Sequence, residues 1–283
     1  MEQLREATAA DGTTLRYEYS PPVAGSGAAD SELVPVLFLH GSLSNHHAFR
    51  KVRVSLGSRP LVLTILRGHD GDDPVVGPDY SLAGTEVVDV LAVLGAEGIQ
   101  QVDVMAHSTG GSIALALAAR HPQRVRRIVL IEPTLLPLLE GPVAERVRSD
   151  VAEMVATATA GEQLRALRLL LDFVGGGAWR NAPEEARQRI MDTMAALAPL
   201  VGPHVAALAE LAVTASDLRR LAAPTLLIYG TDSAYFEPAI AQLLARLRPD
   251  LRQLHVDGAG HNAHLEQPDL VGPAAAGFLD ATD

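Results

Sequence analysis

Cysteine is absent from the 283-residue chain, lysine occurs once (Lys51) and tryptophan once (Trp179). Without cysteine there is no disulfide, no thiolate nucleophile and no thiolate-bound metal. Basic residues are also scarce: 23 Lys and Arg face 34 Asp and Glu, a formal charge of −11. A nucleic-acid partner would require a basic face to neutralise phosphates, and none is visible. The same acidity disfavours an anionic membrane; its simplest role is solubility. Met1–Gly12 lacks the basic and apolar regions of a secretory signal. No uninterrupted apolar run approaches the ~20 residues that cross a bilayer. The expectation is a cytoplasmic protein with no nucleic-acid or membrane partner; nothing in the sequence sets its oligomeric state. Apolar residues make up 48% and charged residues 20%, enough for a sizeable core.

Two short alternating segments, Leu4–Ala9 and Thr14–Tyr19, flank Asp11-Gly12 and predict a β-hairpin. Pro21–Ser31 reads as a flexible loop. Then come short continuous apolar runs: Val34–Leu39, Leu61–Leu66, Val102–Ala106, Ile128–Ile131, Thr225–Tyr229 and Leu251–Val256. Such runs suit strands buried on both faces of a parallel sheet. Helical patterns separate or follow them at Ser81–Gly95, Ser112–Arg120, Pro238–Leu247 and Asp269–Leu279. The alternation predicts an α/β fold with a doubly wound, mostly parallel sheet. Roughly ninety residues between Ile131 and Thr225 carry no convincing strand, far beyond an ordinary loop. Helical stretches at Pro142–Thr157, Glu162–Phe173, Pro183–Leu197 and His204–Val213 fill them. They predict an inserted helical cap, with Gly175-Gly176-Gly177 as a bend or hinge.

The chemistry centres on Ala106-His107-Ser108-Thr109-Gly110-Gly111, between a buried strand and a helix. A serine on such a turn adopts strained backbone angles, so the residues two positions away must be small; here they are Ala106 and Gly110. The turn exposes the hydroxyl and sets it at a helix N-terminus, whose free N–H groups can stabilise an oxyanion. Serine is a weak nucleophile until a base takes its proton and a third group orients that base. The expected chain order is Ser, acid, His. Asp232, after Thr225–Tyr229, and His261, in Gly258-Ala259-Gly260-His261, fit that order and are favoured by their places after strand ends. Glu132, after Ile128–Ile131, is the rival acid, and His264 the rival base. The second oxyanion donor is expected from the loop after Val34–Leu39: Gly41 permits a sharp turn, so the N–H of Ser42 can face the same oxygen as that of Thr109.

Taken with His40-Gly41, Arg67-Gly68-His69, His121-Pro122, Gly230-Thr231-Asp232 and Glu266-Gln267-Pro268, these motifs resemble the α/β-hydrolase superfamily, in its branch with a helical cap between strands six and seven. The resemblance runs from about Leu33 to the C-terminus. It implies a hydrolase core over residues 1–132 and 217–283 and a cap over 133–216. The first glycine of the family's elbow is Ala106 here. Ile65 stands where the family often has Asp, and Asp70 where it has Gly. The last two changes affect the Arg67–Pro74 loop rather than the triad.

Other clusters point to chemistry less well. His46 and His47 are adjacent and expected to face different ways, a poor metal pair; His261 and His264 lack a third ligand. Asp70, Asp72 and Asp73 fit a solvated loop better than a Ca²⁺ site. Gly25-Ser26-Gly27 has no strand–helix context for a dinucleotide. Neither metal nor cofactor is expected. The reading is a serine hydrolase acting on an ester, lactone or thioester with a small apolar acyl part, with water as co-substrate. Trp179 is a candidate pocket residue. The same residues could instead serve a carbon–carbon bond hydrolase, a cofactor-free oxygenase, a perhydrolase or a slow-turnover small-molecule receptor.

Overall fold

A computed structural model of the chain describes residues 4–22, 33–70, 75–210 and 212–281. Most of the Pro21–Ser31 loop, Gly25-Ser26-Gly27, and Asp72 and Asp73 lie outside those residues.

Strands β1 (Arg5–Thr8) and β2 (Thr14–Ser20) form the expected hairpin, and β2 pairs antiparallel with β4 (Leu61–Thr64). From β4 onward the pairing is parallel, through β3 (Val36–Leu39), β5 (Val102–His107), β6 (Val125–Ile131), β7 (Thr225–Gly230) and β8 (Arg252–Val256). The eight strands lie in the order β1-β2-β4-β3-β5-β6-β7-β8. Side chains alternate between two cores, as a pleated strand requires. Leu37, Leu39, Val104 and Ala106 face one; Val36, Phe38 and Met105 face the other.

Helices α1 (Val87–Ala96) and α2 (Thr109–Arg120) cover the first face. Between β6 and β7 run α3 (Gly141–Thr159), α4 (Gln163–Val174), α5 (Gly176–Arg180), α6 (Glu184–Met194), α7 (Val201–Ala209) and α8 (Ala215–Arg220). Of these, α8 packs back on α2 and on α9 (Glu237–Leu247), which joins the first face. On the opposite face lie short 3₁₀ turns at His46–Phe49 and Val52–Leu56, α10 (Ala263–Glu266) and α11 (Pro268–Leu279). A continuous helical run, Glu184–Ala209, is by length and composition apolar enough to cross a membrane. Its Leu200, Val201 and Val205 are instead buried among the other inserted helices.

The glycine triplet is a point of close packing rather than a simple hinge. Gly177 N donates to the Asp232 carbonyl at 2.8 Å. A Cβ on Gly176, whose φ is +57°, would meet that same carbonyl oxygen at 2.4 Å. The inserted helices are thereby fastened to the loop after β7. Because β3 and β5–β8 run parallel, their carboxyl ends share one edge of the sheet, where open α/β sheets place their sites.

Candidate active site

Among the described residues, three other than glycine have positive φ: Leu43 at +56°, Ser108 at +52° and Glu132 at +44°. Each sits just past the end of β3, β5 or β6. Such angles cost of order 1–3 kcal/mol apiece and gather where function demands a fixed geometry.

Ser108 occupies the turn between β5 and α2 as the sequence predicts. A Cβ on Gly110 would come within 2.1 Å of the Leu39 carbonyl oxygen, so this helix start admits only glycine there. Ser108 Oγ pairs with Thr134 Oγ1 at 3.2 Å. Thr109 is the first residue of α2, so its N–H has no acceptor within the helix. Ser42 lies alongside, with its Oγ 2.7 Å from Thr109 Oγ1.

The loop that presents Ser42 is held by neutral histidines. His40 Nδ1 donates to the Gly41 carbonyl at 2.8 Å while its Nε2 accepts from Leu66 N–H at 3.1 Å. His69 Nδ1 donates to the Arg67 carbonyl at 3.0 Å while its Nε2 accepts from Leu43 N–H at 3.0 Å. His40 is buried and His69 half-buried, and the loss of solvent around each ring lowers its basicity, so they act as uncharged braces. This accounts for the His40-Gly41 and Arg67-Gly68-His69 motifs. Arg67 is itself ion-paired with Asp89 and Asp11.

His261 lies beyond β8 with its Nδ1 2.8 Å from Glu132 Oε2. The other Glu132 oxygen accepts from Gly230 N–H at 2.8 Å and from the Ser233 hydroxyl. Glu132 is wholly buried. The expectation that Asp232 supports His261 is therefore corrected. The Asp232 side chain is 46% exposed and has Arg180 at 3.9 Å. Its backbone does the work at that position, binding Ala259 O through N–H and Gly177 N–H through C=O. Gly230-Thr231-Asp232 thus orients the acid through the Gly230 N–H instead of supplying the carboxylate.

His264 is no alternative base. It is fully buried against Phe49 and His107, both ring nitrogens lack partners among the described residues, and burial pushes it down to about 3. His107 Nε2 donates to the His261 carbonyl at 2.8 Å, and Gly260 N–H donates to Glu266 Oε2 at 2.9 Å, fixing the loop from both sides.

A second acid, unseen in the sequence, approaches the same ring. Glu237 Oε1 is 3.8 Å from His261 Nδ1, and burial, then the Glu132 carboxylate, push Glu237 well above the usual carboxylate range. Glu132, Glu237 and His261 lie close enough to hold a cation, but His261 Nδ1 is already bonded to Glu132. Glu18, His46 and His47 also converge. The two rings are 3.9 Å apart rather than turned away from each other, and Glu18 is engaged by Arg53.

Ser42, Ser108, Thr109 and His261 all line one cavity of about 530 Å³. Trp179 lines it too, with its indole N–H donating to Asp172 at 2.6 Å. The rest of the wall is chiefly apolar, supplied by α3, α4, α6 and α7 through residues such as Met154, Leu170, Met194 and Leu208.

Residues 34–268 match the model of the α/β-hydrolase fold family. The chain is 28% identical over 258 residues to a 2-(acetamidomethylene)succinate hydrolase of Mesorhizobium japonicum, covering 87% of this chain and 88% of that one. It is 32% identical over 203 residues to a 2-hydroxymuconate semialdehyde hydrolase of Pseudomonas putida, covering 68% and 67%. A solved esterase from Thermogutta terrifontis superposes with a TM-score of 0.74 at 21% identity, over 98% of each chain. The chain belongs to the α/β-hydrolase family and is a hydrolase.

Proposed function

We propose that this hydrolase cleaves carboxylic esters, lactones or thioesters with an uncharged, apolar acyl part, through an acyl-enzyme on Ser108. The observation that carries this reading is the cavity. Most of its polar groups gather around Ser108, Glu266 is its one acidic lining residue, the rest of the wall is chiefly apolar, and neither Arg nor Lys is among its described lining residues. A substrate carboxylate is ordinarily held by a bidentate Arg or by Lys. The relative named for a succinate acts on a dicarboxylate; this cavity favours a neutral substrate.

In the first step His261 takes the Ser108 proton as Oγ attacks the carbonyl carbon. Ser108 exchanges its contact with Thr134 for one with His261, the kind of tightening that follows substrate binding. The oxyanion is received by the N–H groups of Ser42 and Thr109. The proton on His261 passes to the leaving group as the acyl bond breaks. Water, deprotonated by His261, then attacks the acyl-enzyme; the bond to Ser108 Oγ breaks, His261 returns its proton to Oγ, and the acid is released. Glu132 holds Nδ1 protonated throughout and stabilises the imidazolium. The inserted helices act as a cap that selects the acyl group.

A second reading, hydrolysis of a carbon–carbon bond in a β-diketone-like substrate, is favoured by the 32% identity to the semialdehyde hydrolase. The test is a hydrolysis screen over neutral esters of increasing acyl length, lactones, thioesters, dicarboxylic monoesters and β-diketones. Ser108→Ala serves as the blank, and a fluorophosphonate probe reports labelling at Ser108. Turnover of neutral esters that vanishes in Ser108→Ala supports the proposal. Turnover of diketones or dicarboxylic monoesters alone overturns it.

A further inference from the structure

His204 reaches the candidate oxyanion loop from the inserted helices. It lies on α7, is completely buried, and sets its Nδ1 2.9 Å from Ser42 Oγ. The Ser42 hydroxyl continues to Thr109 Oγ1 at 2.7 Å. One side chain of the insertion is thus joined through hydroxyls to both residues whose N–H groups are placed at the oxyanion. The ring lies nearly flat on Tyr80, with centroids 5.1 Å apart and planes at 21°, and 5.0 Å from His69. Burial pushes it down to about 3, so it brings no charge to the loop.

The other His204 nitrogen, Nε2, is buried without a partner among the described residues. An orphaned buried polar atom is costly, and an apolar ring would fill the same space without that cost. Packing alone therefore does not account for histidine here; the bond to Ser42 does. The loop it holds is strained at Leu43, and strained segments keep their geometry only while their surroundings enforce it. His40 grips Gly41 and His69 grips Leu43. Of the three histidines, His204 alone comes from the insertion, and it grips the residue between them.

We infer that His204 is a positioning residue for the oxyanion loop, one that makes the placement of the Ser42 and Thr109 N–H groups depend on how the inserted helices are seated. A displaced insertion leaves Ser108 and His261 in place but loosens the donors, so full activity requires the insertion to be closed over the substrate. The inference rests on the reading of Ser42 and Thr109 as oxyanion donors.

The test uses the full chain with His204→Phe, which keeps the ring on Tyr80, and His204→Asn, whose amide can restore a polar atom near the Nδ1 position. On p-nitrophenyl butyrate, His204→Phe should lower kcat about 10-fold or more with KM within ~2-fold, a milder loss than deleting an oxyanion donor outright. Affinity for an alkylboronic acid, which mimics the tetrahedral intermediate, should fall in proportion. His204→Asn should recover much of both. Ser42→Ala/His204→Phe should be no worse than the more severe single variant, since the effect passes through Ser42. Amide hydrogen exchange over residues 41–43 should speed up in His204→Phe, and the lone Trp179 should keep its emission if the insertion remains seated. Unchanged kcat and unchanged exchange at 41–43 would overturn the inference. So would a raised KM with shifted Trp179 emission and normal kcat, which marks a packing role. If the wild type hydrolyses none of the neutral esters, lactones and thioesters of the screen, the proposed function falls, while exchange at 41–43 still decides whether His204 braces the loop.

Discussion

His261 Nδ1 meets Glu132 Oε2 at 2.8 Å, across the end of β7, while the half-exposed Asp232 carboxylate packs on Gly177 beside Arg180. The carboxylate after β6 therefore reaches a ring carried two strands away, and the loop after β7 contributes a backbone N–H to that carboxylate. Replacing Glu132 by Gln keeps the shape but favours the wrong imidazole tautomer. In a serine protease the equivalent loss is on the order of ~10⁴ in kcat. Glu132→Gln should cut kcat at least ~10²-fold with little change in KM, as expected for an interaction strongest in the transition state. Asp232→Asn should stay within ~3-fold, because an exposed ion pair contributes little. Steady-state kinetics on both variants decides; a severe Asp232→Asn beside a normal Glu132→Gln would restore the other arrangement.

Why the sequence ranks those two acids in the opposite order is physical. Both follow buried strands, and chain order admits both. Which one meets His261 depends on side-chain reach and sheet twist, and on a φ of +44° at Glu132 that no residue type announces. The turn at Ser108 was readable because its constraint is local: small residues must stand two positions either side. The strands were readable as continuous apolar runs. His204 was not, since on an apolar helical face it is only one polar residue, and its meeting with Ser42 spans 162 positions. The triple glycine reads as a bend or hinge; the structure places it between α4 and α5 and uses it for close contact with Asp232.

Glu237 links the site to pH. Burial and the nearby Glu132 carboxylate raise its folded value well above the ordinary range. The folded chain thus holds a proton that the unfolded chain releases above ~4.3. Stability from this group is full at acid pH and is lost as pH rises. Glu237→Gln cannot titrate, so its Tm relative to wild type should climb as pH rises above the ordinary glutamate range. Glu86, raised to about 7 chiefly by burial, provides a control. The relative gain of Glu86→Gln should level off above about 7. A pH-independent Tm difference for Glu237→Gln would mean that the carboxyl is ionised in the folded protein.

The lack of Arg and Lys among the described residues lining the cavity makes a prediction about gain of function. Ile190 lines the cavity yet is 41% exposed, so a long side chain fits there without disturbing the core. Ile190→Arg places a cation at the wall. A charge-assisted hydrogen bond contributes roughly 1.5–3 kcal/mol. The ratio of kcat/KM for p-nitrophenyl hemisuccinate over p-nitrophenyl butyrate should therefore rise on the order of ~10-fold. A wild type that already prefers the hemisuccinate would show that the substrate carboxylate is recognised by other means.

The contact between the triple glycine and Asp232 predicts how the insertion is held. At Gly176 two penalties combine: a φ of +57°, and a Cβ that would stand 2.4 Å from the Asp232 carbonyl oxygen. Backbone cannot swing aside as a flexible side chain can, so Gly176→Ala must shift α5 away from the loop after β7. Overpacking of this kind costs typically ~1–3 kcal/mol, and the left-handed φ adds roughly 1–2 kcal/mol. For a chain of this size the sum corresponds to a fall in Tm of about 5 °C or more. Gly95, inside α1 with open space around it, supplies the contrast. Gly95→Ala should leave Tm unchanged or raise it slightly, since alanine favours helix by up to ~1 kcal/mol. Because α5 also carries Trp179 into the cavity, Gly176→Ala should shift the tryptophan emission and raise KM together. A normal Tm with unchanged emission would show that the insertion does not depend on its contact with the Asp232 loop.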